Sequence, residues 1–178
     1  MMANKIDIAR FETILSEYQT GVFRTAIGFV HSKEEAEDLT QEVFLRAYRS
    51  WNTFRGDAEI STWLYRITIN LCLNHIEQQK RRNFFQFTGD FLNDFFNHPS
   101  EEKNPHQLLE ETELKKAIQK AVDTLPEKQR TAFVLSKYDD LSQQEIAAIM
   151  EITEGAVEQL LQRAKANLRE KLNKNVGK

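Results

Sequence analysis

The stretch Ser142-Gln-Gln-Glu-Ile-Ala-Ala-Ile-Met-Glu-Ile-Thr-Glu-Gly-Ala-Val-Glu-Gln-Leu-Leu-Gln-Arg-Ala-Lys165 decides the fold. Ser142, with Glu145 three residues on, is a capping box, so a helix opens there and runs to Met150. Glu151-Ile-Thr153 turns the chain, and Thr153 caps a longer helix to about Leu172. Ile146, Ala147, Ile149 and Met150, then Ile152, Val157, Leu160, Leu161, Ala164 and Leu168, put one apolar face on each helix. A short helix, a bend of a few residues and a longer helix are the proportions of a helix-turn-helix. A plain helical hairpin shares that periodicity. The polar face of the second helix favours DNA: it carries Glu154, Gly155, Glu158, Gln159, Gln162 and Arg163. Gln can read adenine at two atoms, Arg can read guanine, and Glu accepts from the cytosine amino group. Many such bends place Gly where this chain has Glu151. A non-Gly residue at positive φ costs about 1 kcal/mol, so a slightly altered turn is expected.

Upstream of this pair, a helix from about Pro105 to Asp123 buries Leu108, Leu109, Leu114, Ile118 and Val122. Leu125-Pro126 breaks it, and Pro126 at a first helical position starts another to about Tyr138. Asp139-Asp140 is a turn.

The N-terminal half shows the same periodicity. Residues 7–30 place Ile8, Phe11, Ile14, Leu15, Tyr18, Val22, Phe23, Ala26 and Ile27 on one helical face. Ser32 and Glu35 form a second capping box, opening a helix with Ala36, Leu39, Val43, Phe44 and Ala47 inward and an end near Trp51. After the loop Asn52–Asp57 a long helix runs from about Ala58 to Arg82. It bears two apolar stripes, Ile60, Trp63, Leu64, Ile67, Leu71 and Tyr65, Ile69, Cys72, Ile76, separated by Arg66, Asn70, Asn74 and Glu77. A helix apolar on two sides is buried on both, or buried on one and used on the other.

Residues 84–105 fit neither module. Phe84, Phe85, Phe87, Phe91, Phe95 and Phe96 stand among Asp, Asn, Gly and Pro99 with little periodicity. This is a linker, too apolar for an idle tether, whose phenylalanines dock on the modules or on another protein. The expected class is therefore all-α: two small helical domains, 1–83 and 106–178, joined by a Phe-rich acidic linker.

Composition narrows the function. Six Gly and three Pro in 178 residues favour helices. The net charge of −3 is uneven: residues 1–83 balance eleven cations against eleven anions, 84–115 hold two against seven, and 116–178 hold eleven against nine. Near the C-terminus Arg163, Lys165, Arg169, Lys171, Lys174 and Lys178 face only Glu170, so the overall acidity does not exclude nucleic acid. No apolar run resembles a signal peptide, and Ile60–Leu73, with Arg66 and Asn70 inside it, is too short to span a bilayer. A lone Cys72 suits a reducing cytoplasm. The four histidines show no ligand spacing, so neither metal nor cofactor is expected. No acid–base pair, nucleophile motif or phosphate-cradling Gly loop supports an enzyme or any catalytic residue.

Several segments together resemble the extracytoplasmic-function branch of the sigma-70 family. They are Glu37-Asp-Leu-Thr-Gln-Glu-Val-Phe44, Phe54-Arg-Gly-Asp-Ala58, Ser61-Thr-Trp-Leu-Tyr-Arg-Ile67, Leu125-Pro-Glu-Lys-Gln-Arg130, Leu141-Ser-Gln-Gln-Glu-Ile-Ala147, Ala156-Val-Glu158 and Arg163-Ala-Lys165. They occur in family order and cover most of the chain outside the linker.

The resemblance implies a promoter-specificity subunit that binds core RNA polymerase and promoter DNA. Asp38, Gln41, Glu42, Leu45 and Arg46 would meet the coiled coil of the largest polymerase subunit, a mixed surface suited to a protein partner. Phe54, Arg55, Asp57, Trp63, Arg66 and Asn70 would handle an extruded base of the −10 element, with Trp63 better explained by packing. Lys80, Arg81 and Arg82 would meet phosphates. Glu158, Gln159, Gln162 and Arg163 would face −35 bases, with Lys165 and Arg169 on the backbone. Many relatives carry a basic residue where this chain has Glu158. The linker takes the place of the segment threaded toward the polymerase channels. The resemblance also implies an anti-sigma factor as a partner, often membrane-anchored. The competing reading is an autonomous helix-turn-helix regulator binding palindromes as a dimer. Acidity tells against it, because a free-standing regulator draws its affinity from its own cations, whereas a polymerase subunit acts at high effective concentration.

Overall fold

In a computed structural model, residues 8–54, 56, 58–89 and 107–176 are described. They form seven α-helices, with no strand among them. The first module comprises α1 (Ile8–Val30), α2 (Lys33–Ser50), a 3₁₀ turn (Trp51–Thr53) and α3 (Ile60–Gly89). The second comprises α4 (Gln107–Asp123), α5 (Glu127–Tyr138), α6 (Gln143–Met150) and α7 (Glu154–Val176).

Helix ends follow local chemistry. Ser142 and Glu145 close the predicted capping box: the Glu145 N–H donates to Ser142 Oγ, and the Ser142 N–H to the Glu145 carboxylate at 2.8 Å. These hydrogen bonds hold the Glu145 carboxyl below its usual range. At Ser32 only half of the expected box forms. Its hydroxyl accepts from the Glu35 N–H, but the Glu35 carboxylate turns to His75 (3.2 Å) and Gln79 (2.7 Å), tying α2 to α3. Pro126 is the N-cap of α5 rather than its first residue. α3 continues to Gly89, seven residues beyond the expected end, because no Gly or Pro interrupts 83–88. The rest of the linker, 90–105, lies outside the described residues.

α3 is the central helix and both its stripes are covered. Leu64 and Leu71 are buried, as are Tyr65, Ile69 and Cys72, the last group among residues of the second module. One continuous core therefore joins Val22, Phe29, Val43 and Leu64 to Leu135, Ile146, Ile149 and Val157. A smaller cluster of Ala121, Val122, Leu125, Ala164 and Leu168 seats α4 on α7. Leu114 and Ile118, expected inside, are exposed: among the described residues α4 meets this core through Ala121 and Val122, at its C-terminal end. The side chains of Leu108 and Leu109 lie outside those described.

The two modules fit closely. Gly28 of α1 faces α5, and a Cβ there would lie 2.8 Å from both Val134 Cγ1 and Tyr138 Cγ. The Tyr65 hydroxyl donates to the Asp139 carboxylate. Arg130 is buried: it donates to the Phe29 carbonyl and to Asp123 at 2.6 Å, with its guanidinium 5.5 Å from the Phe29 ring centroid. His31, at the end of α1, stands 3.1 Å from the same Asp123 oxygen.

Candidate nucleic-acid interface

The α6–α7 pair has the expected form. Glu151 takes the left-handed conformation (φ 55°, ψ 43°), its N–H donating to the Ala147 carbonyl, and the Ile152 N–H reaches the same oxygen at 3.1 Å. The bend is thus built as a Gly would build it, with Glu151 bearing the backbone strain. The Ala156 N–H donates to Thr153 Oγ1 at 3.2 Å, so Thr153 is the cap expected for α7. Val157, Leu161, Ala164 and Leu168 are buried, which turns Glu154, Glu158, Gln159, Gln162 and Arg163 to solvent. Gln162 Nε2 donates to Glu158 at 3.2 Å, so two of the candidate base readers orient each other. Lys165 and Arg169 are exposed one and two turns further along.

The candidate −10 residues are brought together only in part. Phe54 lies tilted against Trp63 and Trp51, with ring centroids 4.8 and 5.6 Å apart, and Trp63 meets Trp51 edge-on at 6.0 Å, so Trp63 packs as expected while remaining half-buried. Arg10 covers the other aromatic surface at 5.5 Å from the Trp51 centroid. Arg55 and Asp57 lie outside the described residues. Asn70, Lys80, Arg81 and Arg82 are exposed along α3, Arg81 paired with Glu77 one turn before it.

Arg66, its side chain 35% exposed, reaches across to α6. Its Nε donates to the Ile149 carbonyl (3.1 Å), Nη2 to the Ala148 carbonyl (2.8 Å), and Nη1 pairs with Glu151 at 2.9 Å. It caps the carbonyl end of α6 from the other module, where the helix dipole favours a cation.

On the opposite side of the first module, Asp38, Gln41, Leu45 and Arg46 are exposed on α2, and Glu42 pairs with Arg46 at 2.8 Å. Beside them α1 and α2 enclose a mostly apolar groove of about 460 Å³, lined by Phe11, Leu15, Phe44, Leu45 and Tyr48, with Gln19, Thr40 and Gln41 at its rim. Leu15 is 36%, Leu45 50% and Tyr48 47% exposed, high for large apolar side chains. Phe11 and Leu15 were expected only as core. The i, i+4 spacing that suggested burial is equally that of a groove wall, so periodicity could not separate the two.

Residues 14–82 match the family described as Sigma-70 region 2, and residues 115–168 match Sigma-70, region 4. The chain is 33% identical over 171 residues to the RNA polymerase sigma-H factor of Pseudomonas aeruginosa, covering 89% of this chain and 84% of that one. The chain belongs to the sigma-70 family. Its extracytoplasmic-function branch is marked by 34% identity over 164 residues to the ECF RNA polymerase sigma-E factor of Escherichia coli K12, covering 90% and 85% of the two chains. Among solved structures, the sigma factor RpoE in complex with the anti-sigma factor NepR from Bartonella quintana superimposes with a TM-score of 0.62 at 23% identity, covering 93% of this chain and 98% of that one. This sigma factor is accordingly a DNA-binding transcription initiation factor of RNA polymerase, of a family that is not enzymatic. Among its described residues no helix is long and apolar enough to cross a membrane.

Proposed function

We propose that this sigma factor holds core RNA polymerase through the α1–α2 face and reads promoters through α3 and α7, residues 1–83 serving the −10 element and 106–178 the −35 element. The observation that carries this is the separation of two unlike surfaces: an apolar groove flanked by Asp38, Gln41, Leu45 and Arg46, and a polar helix face of Glu158, Gln159, Gln162 and Arg163. The first suits a protein partner, because exposed leucine and tyrosine gain by leaving water. The second suits the major groove, where Lys165 and Arg169 reach phosphates and the other four face base edges. Phe54 and Trp63 form a stacking wall for an unpaired −10 base, Arg55, Asp57, Arg66 and Asn70 are the further −10 residues that the family motif implies, and Lys80, Arg81 and Arg82 track the strand.

The protein acts in the cytoplasm and has an anti-sigma factor as its restraint. The likeness to a structure solved with an anti-sigma factor supports that partner. The test is to mix purified chain with core RNA polymerase on a sizing column, and to select promoters from a DNA library with and without core. Co-elution, with two-block promoters selected only when core is present, is the expected result. Tight binding of palindromes by the free chain without core association would replace this reading with an autonomous regulator.

A further inference from the structure

Arg10 stands in the first turn of α1, before residue 14, where the likeness to Sigma-70 region 2 begins. The family pattern therefore gives it no role. Its guanidinium sits over the Trp51 ring, 5.5 Å from the centroid. Trp51 is buried and carries Phe54 at 5.6 Å and Trp63 at 6.0 Å, the two half-buried rings of the proposed stacking wall. Phe11, the next residue, turns the other way, onto Phe44 and Tyr48 of the groove. The start of α1 thus holds a cation at the aromatic wall and a ring at the apolar groove, side by side.

Arg10 is exposed, and among the described residues its guanidinium has no carboxylate or carbonyl partner. Attraction to the ring fixes where the cation stands without using up its donors. A guanidinium engaged through its face keeps its in-plane N–H groups for an acceptor, and phosphate oxygens fit that fork two at a time. The other cations assigned to the −10 strand are placed differently. Lys80, Arg81 and Arg82 lie roughly 26 Å or more along α3 from Trp63. Arg66 is engaged with the Ala148 and Ile149 carbonyls and with Glu151. An unpaired base stacked on Phe54 and Trp63 brings its own phosphate to the rim of the wall, and among the described residues Arg10 is the guanidinium seated on that wall.

We propose that Arg10 is a phosphate clamp for the −10 strand: from its seat over Trp51 it grips the backbone beside the base that stacks on Phe54 and Trp63. The contact is to phosphate, so it adds affinity and fixes register while reading no sequence. This role rests on the assignment of the Phe54–Trp63 wall to the −10 element.

The experiment uses the full chain assembled with core RNA polymerase. The probe is a forked DNA built from a promoter that this holoenzyme selects, duplex through the −35 element, with the −10 element left as one unpaired strand. Affinity is measured across a salt series for the parent chain, Arg10→Gln, Arg10→Lys and Phe54→Ala. A duplex carrying the −35 element alone is the second probe, and urea melts of the free chains check that each variant is folded.

One phosphate contact on a single strand contributes about 0.7 to the slope of log affinity against log salt. Arg10→Gln should make the slope shallower by that amount, weakening the fork about fivefold at ~0.1 M salt with little loss near ~1 M. Arg10→Lys keeps the charge and should keep the slope. Phe54→Ala removes stacking rather than charge, so it should weaken the fork about fivefold or more at every salt concentration. Binding of the −35 duplex should stay within about twofold in every variant, because its phosphates meet α7. If Arg10→Gln weakens the fork equally at all salt concentrations, or leaves it unchanged, the proposal is overturned and Arg10 only covers Trp51. When Phe54→Ala weakens the fork in that same series, the −10 wall stands and the clamp alone falls. If Phe54→Ala binds the fork as the parent does, the wall assignment falls and takes the clamp with it.

Discussion

The Arg66 guanidinium stands 2.9 Å from the carboxylate of Glu151, the residue whose left-handed backbone closes α6. One side chain at the helix-turn-helix bend thus carries local strain and an inter-module ion pair. Both partners are partly exposed, and such pairs contribute about 0–1 kcal/mol. The pair is therefore a weak latch on a seam held mainly by apolar contact.

Exposed leucines on α1 and α2 give the clearest test of the polymerase face. Leu15→Glu with Leu45→Glu should leave urea stability within about 1 kcal/mol, since both side chains are already wet. The same pair should weaken core polymerase binding at least tenfold, about 1.4 kcal/mol, as read by competition with the parent chain. Full polymerase affinity in the double variant would remove the groove from the interface.

On α7, Gln159→Ala or Arg163→Ala should relax −35 selectivity by about 1–3 kcal/mol per lost base contact, measured by promoter selection with holoenzyme. Core binding should be unchanged, because the α1–α2 groove is on the other module. An equal fall in core binding would contradict the division of labour.

The capping box of α6 ties stability to acid pH. Ser142→Ala should cost about 1 kcal/mol near neutral pH. The Glu145 carboxyl is held below its ordinary 4.5 by Ser142. Its contribution is therefore present above that value and lost as pH falls through the lower, folded one. Urea melts of parent and Ser142→Ala should converge as the pH is lowered through this window, and a constant difference would show that Glu145 plays no part.

Asp139 should behave in the opposite sense. Burial raises its pKa above the ordinary 3.8, against the pull of Arg24. The folded chain thus holds this proton more tightly than the unfolded one, so the group's stability contribution falls as pH rises from 3.8 through the folded value. Asp139→Asn keeps an acceptor for Tyr65 and should flatten that slope in urea melts across the carboxylate range. An unchanged slope would place the titration elsewhere.

Local chemistry was legible wherever neighbours in sequence decide the outcome. The Ser142–Glu145 box and the Thr153 cap depend on contacts within one turn, the inward set Ala36, Leu39, Val43, Phe44 and Ala47 follows from helical spacing, and all are formed. Where a side chain had a choice between a local and a distant partner, sequence alone could not choose. Glu35 has the spacing for a capping box, yet His75 and Gln79 of α3 take its carboxylate. Leu114 and Ile118 have core periodicity, but among the described residues no helix covers them.

By itself, the sequence determined that the chain is helical, that it ends in a helix-turn-helix, and that its polar α7 face and α2 motif belong to the sigma-70 family. These follow from 3.6-residue periodicity, capping residues and motif order, which are properties of short stretches. Only the tertiary structure decided that α3 is covered on both stripes, that Phe11 and Leu15 wall an open groove, and that Arg66 caps a helix of the other module. Those outcomes depend on which surfaces meet across more than eighty residues of chain, as Arg66 and Ile149 do. The free energy that brings them together is apolar burial, which is non-directional and leaves no local mark on the residues it joins.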